Sequence, residues 1–186
     1  MPLPADYDGD GKADLSIKDE SGTWYIDYAA NGFGKWDWQS KKGAYGGENS
    51  IPVPADYDGD GKTDLSVVNK DTGIWYVDYA ANGFGKWDQQ FRGNYANQYS
   101  KYFLPGDYDG DGILDLSCIV PGGGWNIVSS HYNSRFGLRT ITSRHIPTPA
   151  DYDGDGILDM SYKLNPLNYD DNPYGTWVIF YSGEKP

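Results

Sequence analysis

Apolar positions in this chain come in short runs, many of them alternating with polar residues, and the runs are broken by glycine, proline and asparagine. That is the pattern of β-strands rather than long helices. From residue 52 the signals read in order. Pro52-Val53-Pro54-Ala55 is a short extended run whose prolines suit a first strand with restricted pairing. Leu65-Ser66-Val67-Val68 alternates as a second strand, and Asp71-Thr72-Gly73 makes a turn. Residues 74–79 form a third strand, and Asn82-Gly83 turns the chain into a fourth over residues 84–90. Four short antiparallel strands in about 50 residues make the unit of a β-propeller blade. One such sheet buries too little alone, so neighbours must stack to make a core.

Self-comparison extends this unit over the whole chain. The block from Pro4 to Ser16 returns at Pro54 to Ser66, Pro105 to Ser117 and Pro149 to Ser161. The first aspartates of the blocks, Asp6, Asp56, Asp107 and Asp151, are spaced by 50, 51 and 44 residues. Each is followed 18 to 26 residues later by a tryptophan: Trp24, Trp75, Trp125 and Trp177. These rings are expected to pack blade against blade, with ligand contact as the alternative. The expected fold is therefore all-β, with about four repeats (1–51, 52–102, 103–146 and 147–186) in one repeat domain, the last incomplete.

Composition agrees. Aromatics reach 16% of the chain, with 17 Tyr and 7 Trp, which argues against disorder and suits pleated surfaces. The formal charge of −12 comes from 27 acidic and 15 basic residues. Sixteen of those acids lie in the four repeated blocks, so four divalent cations, adding eight positive charges, would leave only −4. No basic patch is present to neutralise phosphates, which disfavours nucleic acid as a partner. No apolar run is long enough to span a membrane, and the residues after Met1 do not read as a signal peptide. The single cysteine, Cys118, shares its repeat position with Ile17 and Val67 and is expected to be a small buried hydrophobe.

Within each block the pattern is Asp-x-Asp-x-Asp-Gly-x-x-Asp. Calcium takes six to eight hard oxygen ligands, and a curling loop turns alternate carboxylates toward one centre. The candidate ligands are Asp6, Asp8, Asp10, the Lys12 carbonyl and Asp14 in the first loop, and Asp56, Asp58, Asp60, the Lys62 carbonyl and Asp64 in the second. The third offers Asp107, Asp109, Asp111, the Ile113 carbonyl and Asp115, and the fourth Asp151, Asp153, Asp155, the Ile157 carbonyl and Asp159. Glycine at the sixth position (Gly11, Gly61, Gly112, Gly156) lets the chain turn without a Cβ. Position 7 needs only its carbonyl, so its side chain varies. About four Ca²⁺ ions are expected. Magnesium seldom uses all-protein cages, and zinc lacks its usual Cys and His ligands here. The EF-hand is excluded, because its position-12 glutamate is replaced by Ile17, Val67, Cys118 or Tyr162.

The Asp loop, the Leu-Ser that closes it in three of the four copies, and the Phe-Gly pairs Phe33-Gly34, Phe84-Gly85 and Phe136-Gly137 together resemble the FG-GAP/VCBS repeat. That repeat builds integrin α-subunit propellers, fungal propeller lectins and many bacterial surface proteins. The resemblance implies calcium between the first and second strands of each blade, and an extracellular setting, secreted or on a cell surface. It also implies that the second-to-third and fourth-to-first connections lie opposite the calcium end. Such propellers usually have seven or eight blades, so this chain is expected to be part of a larger propeller, to self-associate, or to pair with a chain that completes one.

Ligand binding is expected in those connections, at Trp38, Tyr45, Tyr95, Tyr99 and Tyr102, and at Tyr169 and Tyr174 in an expanded loop of the last repeat. Exposed aromatics beside amides suit sugar rings; the alternative is that these side chains pack beneath their own loops. The functional expectation is adhesion or recognition of a glycan or of a cell-surface or extracellular protein. A calcium-rigidified structural module is the alternative, and a polysaccharide lyase the least favoured reading. His131 and His145 stand in no catalytic constellation.

Overall fold

The computed structural model describes residues 1–91, 100, 102–120, 124–129, 135–136, 145–164 and 176–182. The chain divides into two compact units, Met1–Gln98 and Tyr99–Pro186. Each holds two small antiparallel sheets.

In the first unit, sheet 1 has the order β1 (Leu15–Lys18), β2 (Trp24–Asp27), β3 (Trp38–Gln39). The N-terminal residues add an edge to it: Pro2 bridges Ile17, and the Leu3 amide donates to the Ser16 carbonyl at 2.8 Å. Sheet 2 is β4 (Ser50–Pro52), β5 (Leu65–Asn69), β6 (Trp75–Asp78), β7 (Gln89–Phe91). In the second unit, sheet 3 is β8 (Tyr102–Phe103), β9 (Leu116–Val120), β10 (Gly124–Val128), β11 (Arg135–Phe136), and sheet 4 is β12 (His145–Pro147), β13 (Met160–Leu164), β14 (Thr176–Phe180). The last sheet has three strands among the described residues.

The register gives every sheet two distinct faces. In sheet 2, Ser66 faces Val77 and Val68 faces Trp75, so these four share one side, here termed the trailing face. Leu65, Val67 and Tyr76 share the other, the leading face. The trailing face of sheet 1 (Trp24, Ile26, with Tyr7 from the Asp loop) packs on the leading face of sheet 2. The trailing face of sheet 3 (Tyr108, Ile119, Trp125, Ile127) packs in the same way on Leu158, Met160 and Tyr162 of the fourth repeat.

Each of these two joints centres on a tryptophan, Trp24 in the first unit and Trp125 in the second. Trp24, Trp75 and Trp125 are fully buried, and their indole N–H groups donate to Ser16, Ser66 and Ser117 at 2.6–2.7 Å. A buried indole removes on the order of 200 Å² from water, worth about 5 kcal/mol before entropy is counted, provided its polar N–H finds an acceptor. The Leu-Ser dipeptide supplies both needs: leucine for the leading face, serine for the indole. Trp177 departs from the expectation that all four rings are buried. It has the same register, opposite Lys163, yet is 52% exposed, because among the described residues no further sheet lies on its side.

The fourth strand is also shorter than expected. Pairing begins at Gln89 rather than at residue 84. Before it the chain makes a 3-10 turn at Ala80–Asn82, and Gly83 and Gly85 take φ of 75° and 134°. These conformations spend Phe84 on the core instead of the ladder.

Candidate metal centres and the cleft beside them

The four Asp loops share one hydrogen-bond plan. The position-1 carboxylate is the hub. Asp6 accepts the Gly9 amide on one oxygen and the Gly11 amide on the other, at 2.7 and 2.8 Å. Asp56, Asp107 and Asp151 repeat both bonds. The glycines that donate have φ near +80°, a conformation open to them at no steric cost. Further along, position 3 accepts the position-5 amide at 3.1–3.2 Å, and position 5 the position-7 amide at 2.8–2.9 Å.

Position 9 does something the sequence did not reveal. Asp14, Asp64, Asp115 and Asp159 are fully buried. One oxygen of each accepts the position-2 amide (Tyr7, Tyr57, Tyr108, Tyr152) at 2.7–2.9 Å. The other oxygen accepts an amide beyond the third strand: Ala29 to Asp14, Ala80 to Asp64 and Ser182 to Asp159, each at 2.8 Å. This carboxylate therefore pins the Asp loop to the far end of the third strand. It also places the first-to-second and third-to-fourth connections at one end of the blade.

In each loop three carboxylates bring one oxygen apiece within 4.8 Å of one another. The groups are Asp6, Asp8 and Asp10; Asp56, Asp58 and Asp64; Asp107, Asp109 and Asp115; and Asp151, Asp153 and Asp159. Oxygens that share one ion at about 2.4 Å lie at most about 4.8 Å apart, so these spacings fit a single hard cation. Asp14 in the first loop and Asp60, Asp111 and Asp155 in the others fall outside these closest groups. Burial and then the neighbouring carboxylates push Asp58 above the usual carboxylate range; Asp8 and Asp153 are raised by the same two causes, partly offset by amide bonds. Asp64 is pushed up to about 7, chiefly by burial, which outweighs its two amide bonds. Asp10 is lowered by Lys12, whose ammonium lies 2.8 Å from it.

Position 7 has a second role besides its expected carbonyl. The Lys62 stem rests on Gly9 of the preceding loop, where an added Cβ would lie 3.0 Å from Lys62 Cγ. Ile157 covers Gly110 in the same way, at 2.7 Å.

A cleft of about 320 Å³ opens beside the first loop, between repeats 1 and 2. Tyr7, Tyr28, Trp38 and Phe84 give it an aromatic lining, and Asp8 and Lys62 bring polar groups. Trp38 meets Phe84 edge-on at 5.3 Å. Two repeated aspartate pairs hold the third-to-fourth connections of repeats 1 and 2. Asp27 and Asp78 accept the Gly34 and Gly85 amides, while Asp37 and Asp88 accept those of Tyr28 and Tyr79, all at 2.8–2.9 Å. The near-identity of residues 27–37 and 78–88 is the sequence signal that these acids have a role.

The expected ligand residues fare differently. Trp38 is half-buried in β3 and lines the cleft at the Asp-loop end, not the opposite end as expected. Tyr45 is 1% exposed, which corrects its expected place on the surface: its ring packs against Trp24, Trp38 and Trp87, and its hydroxyl donates to Asp78. Tyr102 is 38% exposed in β8. Tyr95, Tyr99, Tyr169, Tyr174 and His131 lie outside the described residues. His145 stacks at 4.3 Å on Tyr162.

Small antiparallel sheets, each preceded or interrupted by an Asp loop that leads into its long inner strand and packed face to face within each unit, define an all-β repeat protein built of β-propeller-type blades. Residues 56–117, about a third of the chain, match the family model of the FG-GAP-like repeat. No curated protein matches it. Among solved structures, it is similar to an Agrocybe aegerita lectin, described for its specific recognition of non-reducing terminal N-acetylglucosamine. The TM-score is 0.66 at 18% identity, over 98% of this chain and 52% of that one. The two share a fold, and this chain spans about half the length of the lectin.

Proposed function

We propose that this protein is a calcium-binding extracellular recognition module whose ligand is a glycan, held without catalysis in the cleft between repeats 1 and 2. The observation that carries this reading is the adjacency of the two features: Asp8 belongs both to the first carboxylate group and to the aromatic cleft. Bound calcium would supply the positive charge that fixes the Asp8 carboxylate. The chain's own residues would then do the recognising. Trp38 and Phe84 offer apolar surface to a sugar ring, while Asp8 accepts from, and Lys62 donates to, its hydroxyls. About 320 Å³ is at the small end of ligand pockets and suits one terminal sugar rather than a long chain segment. Calcium-binding modules with modest affinity suit extracellular fluid, where the ion is abundant.

Titration with N-acetylglucosamine and other terminal hexoses, in calcium and in chelator, tests this. Saturable binding in calcium is expected, lost in Trp38→Ala and weakened in Lys62→Ala. Absence of binding to any sugar would leave the other reading, a calcium-stiffened assembly module without a small ligand. Binding that ignores both substitutions would move the site elsewhere.

A further inference from the structure

Position 7 of the Asp loop is lysine in repeats 1 and 2 and isoleucine in repeats 3 and 4, and the two lysines are used differently. Lys12 turns back on its own loop, where its ammonium meets Asp10 at 2.8 Å. Lys62 instead reaches across to the loop before it: its Cγ, Cε and Cδ lie 3.0, 3.3 and 3.7 Å from the point that a Cβ on Gly9 would occupy. Ile157 makes the same contact on Gly110 with no charge at all, so the packing needs only an aliphatic stem. The joint therefore does not account for the Lys62 ammonium. Pairing does not account for it either, because among the described residues it makes no ion pair or hydrogen bond. What it does border is the cleft between repeats 1 and 2, where it is the one cationic side chain of the lining among the described residues.

We infer that Lys62 sets the charge of the ligand, so that the cleft prefers a terminal sugar bearing a carboxylate or a sulfate ester over its neutral counterpart. This rests on the glycan reading above and names the chemical class within it. A stem already held against Gly9 has less rotamer freedom to lose when its ammonium engages an anion. The side chain is half-buried, and a charge pair formed there is stronger than one in open water. The other formal charge in the lining is Asp8. Asp8 belongs to the first carboxylate group, so an ion held by that group would offset it and leave Lys62 as the charge a ligand has to meet. Trp38 and Phe84 offer the same apolar surface to a charged sugar as to a neutral one, so they decide that a sugar binds and Lys62 decides which. An ammonium is a compact point charge without the planar fork of a guanidinium, so its geometry accepts a carboxylate and a sulfate alike.

The test is calorimetric titration of the intact chain in calcium with the methyl glycosides of glucose and galactose, of their uronic acids, and of their 6-sulfates. Each anionic sugar is expected to bind about tenfold more tightly than its neutral parent, the gain of one charge-assisted hydrogen bond. Added salt should erode that ratio in the wild type, a readout that needs no variant to fold. Lys62→Met keeps an unbranched stem for Gly9 and leaves the backbone carbonyl in place; there the ratio should fall to about one, and Lys62→Arg should retain it. A gain confined to the uronic acids or to the sulfates, and lost in Lys62→Met, would uphold the role of Lys62 and identify the anion. A wild-type ratio of about one, or a ratio that survives Lys62→Met, would overturn the inference and leave the glycan reading standing. Binding of none of these sugars would overturn both.

Discussion

Replacing Asp64 and Asp58 separately distinguishes a member of the carboxylate group that also holds the loop from one that does not. Asp64→Ala leaves the amides of Tyr57 and Ala80 without the acceptors they now reach at 2.7 and 2.8 Å. A buried amide without a partner costs about 1–3 kcal/mol. The Ala80 amide is only partly buried, so water meets some of its demand. Burial already pushes the Asp64 carboxyl up to about 7, so its removal also relieves a poorly solvated charge. The expected net loss in chelator is about 2 kcal/mol, and in calcium the substitution should forfeit the site's increment as well, because Asp64 belongs to the carboxylate group. Asp58→Asn is the opposite case. Asp58 accepts the Asp60 amide at a long 3.2 Å and sits among other carboxylates. In chelator this substitution should leave stability unchanged or slightly raised. In calcium it should forfeit what one site contributes, about 2.7 kcal/mol when the free ion exceeds Kd a hundredfold.

Urea unfolding followed by tryptophan fluorescence, with and without chelator, reads both. Asp64→Ala unfolding at the wild-type midpoint in chelator would refute the pinning role. Asp58→Asn keeping the full calcium increment would refute its place in the metal group. The pH dependence carries a sign. An unfolded aspartate titrates near 3.9, below the folded value of about 7. The folded, metal-free state therefore holds a proton here that the unfolded state has lost. Stability from this group is full below about pH 4 and is lost as pH rises through about 7, and Asp64→Ala should lack that slope. Calcium competes with the proton, so its stabilising increment should shrink as pH falls below 7.

Two further outcomes check the backbone and the core. Gly22 has φ +82°, and an added Cβ would fall 2.0 Å from the Gly46 carbonyl oxygen, whereas Gly61, at φ +86°, has open space around it. Gly22→Ala should therefore cost well over the roughly 1 kcal/mol of left-handed strain expected for Gly61→Ala, and equal unfolding midpoints would contradict the clash. Cys118 is 2% exposed, and burial pushes its thiol up to about 12, so a thiol reagent at pH 8 should label it only under unfolding conditions. Labelling of the native chain at the rate of a free thiol would place the residue outside the core.

What the sequence disclosed and what it hid follow from the range of the interactions. The Asp loops, the strand pairings and the indole–serine hydrogen bonds depend on residues within about one repeat, and repetition made each signal visible several times. The clustering of carboxylates in each loop was legible because a glycine at position 6 lets the chain curl and turn alternate aspartates toward one centre. Tyr45 was hidden because its fate is decided by Asp78, 33 residues away in the next repeat. A loop tyrosine looks the same in sequence whether it faces water or a neighbouring blade. Trp177 misled for the converse reason: its register is that of its three counterparts, but burial also needs a covering face, which no local pattern encodes. The pinning role of position 9 was missed because its second partner lies 15 to 23 residues downstream, beyond the loop motif.

The loops are better understood in pairs than singly. Position 7 tolerates Lys62 in one loop and Ile157 in another because what it contributes sideways is an aliphatic stem, and lysine carries one as well as isoleucine does. That stem lies on the position-4 glycine of the loop before it, so the glycine is required twice, once for its positive φ and once for the close approach. The peptide just beyond, at Thr63 or Leu158, donates to the position-1 carbonyl of that same loop. The position-1 residue thus gives its carboxylate to its own loop and its carbonyl to the next. An ion that orders Asp6 would hold the Thr63 peptide in place and with it the end of the second loop. Order gained in one loop lowers the entropy still to be lost in the other, the condition under which two sites favour each other's occupancy without any change of shape. The same peptide contact joins the blades of a unit, so the proposed metal sites and the stacking of the sheets are not separable properties of this fold.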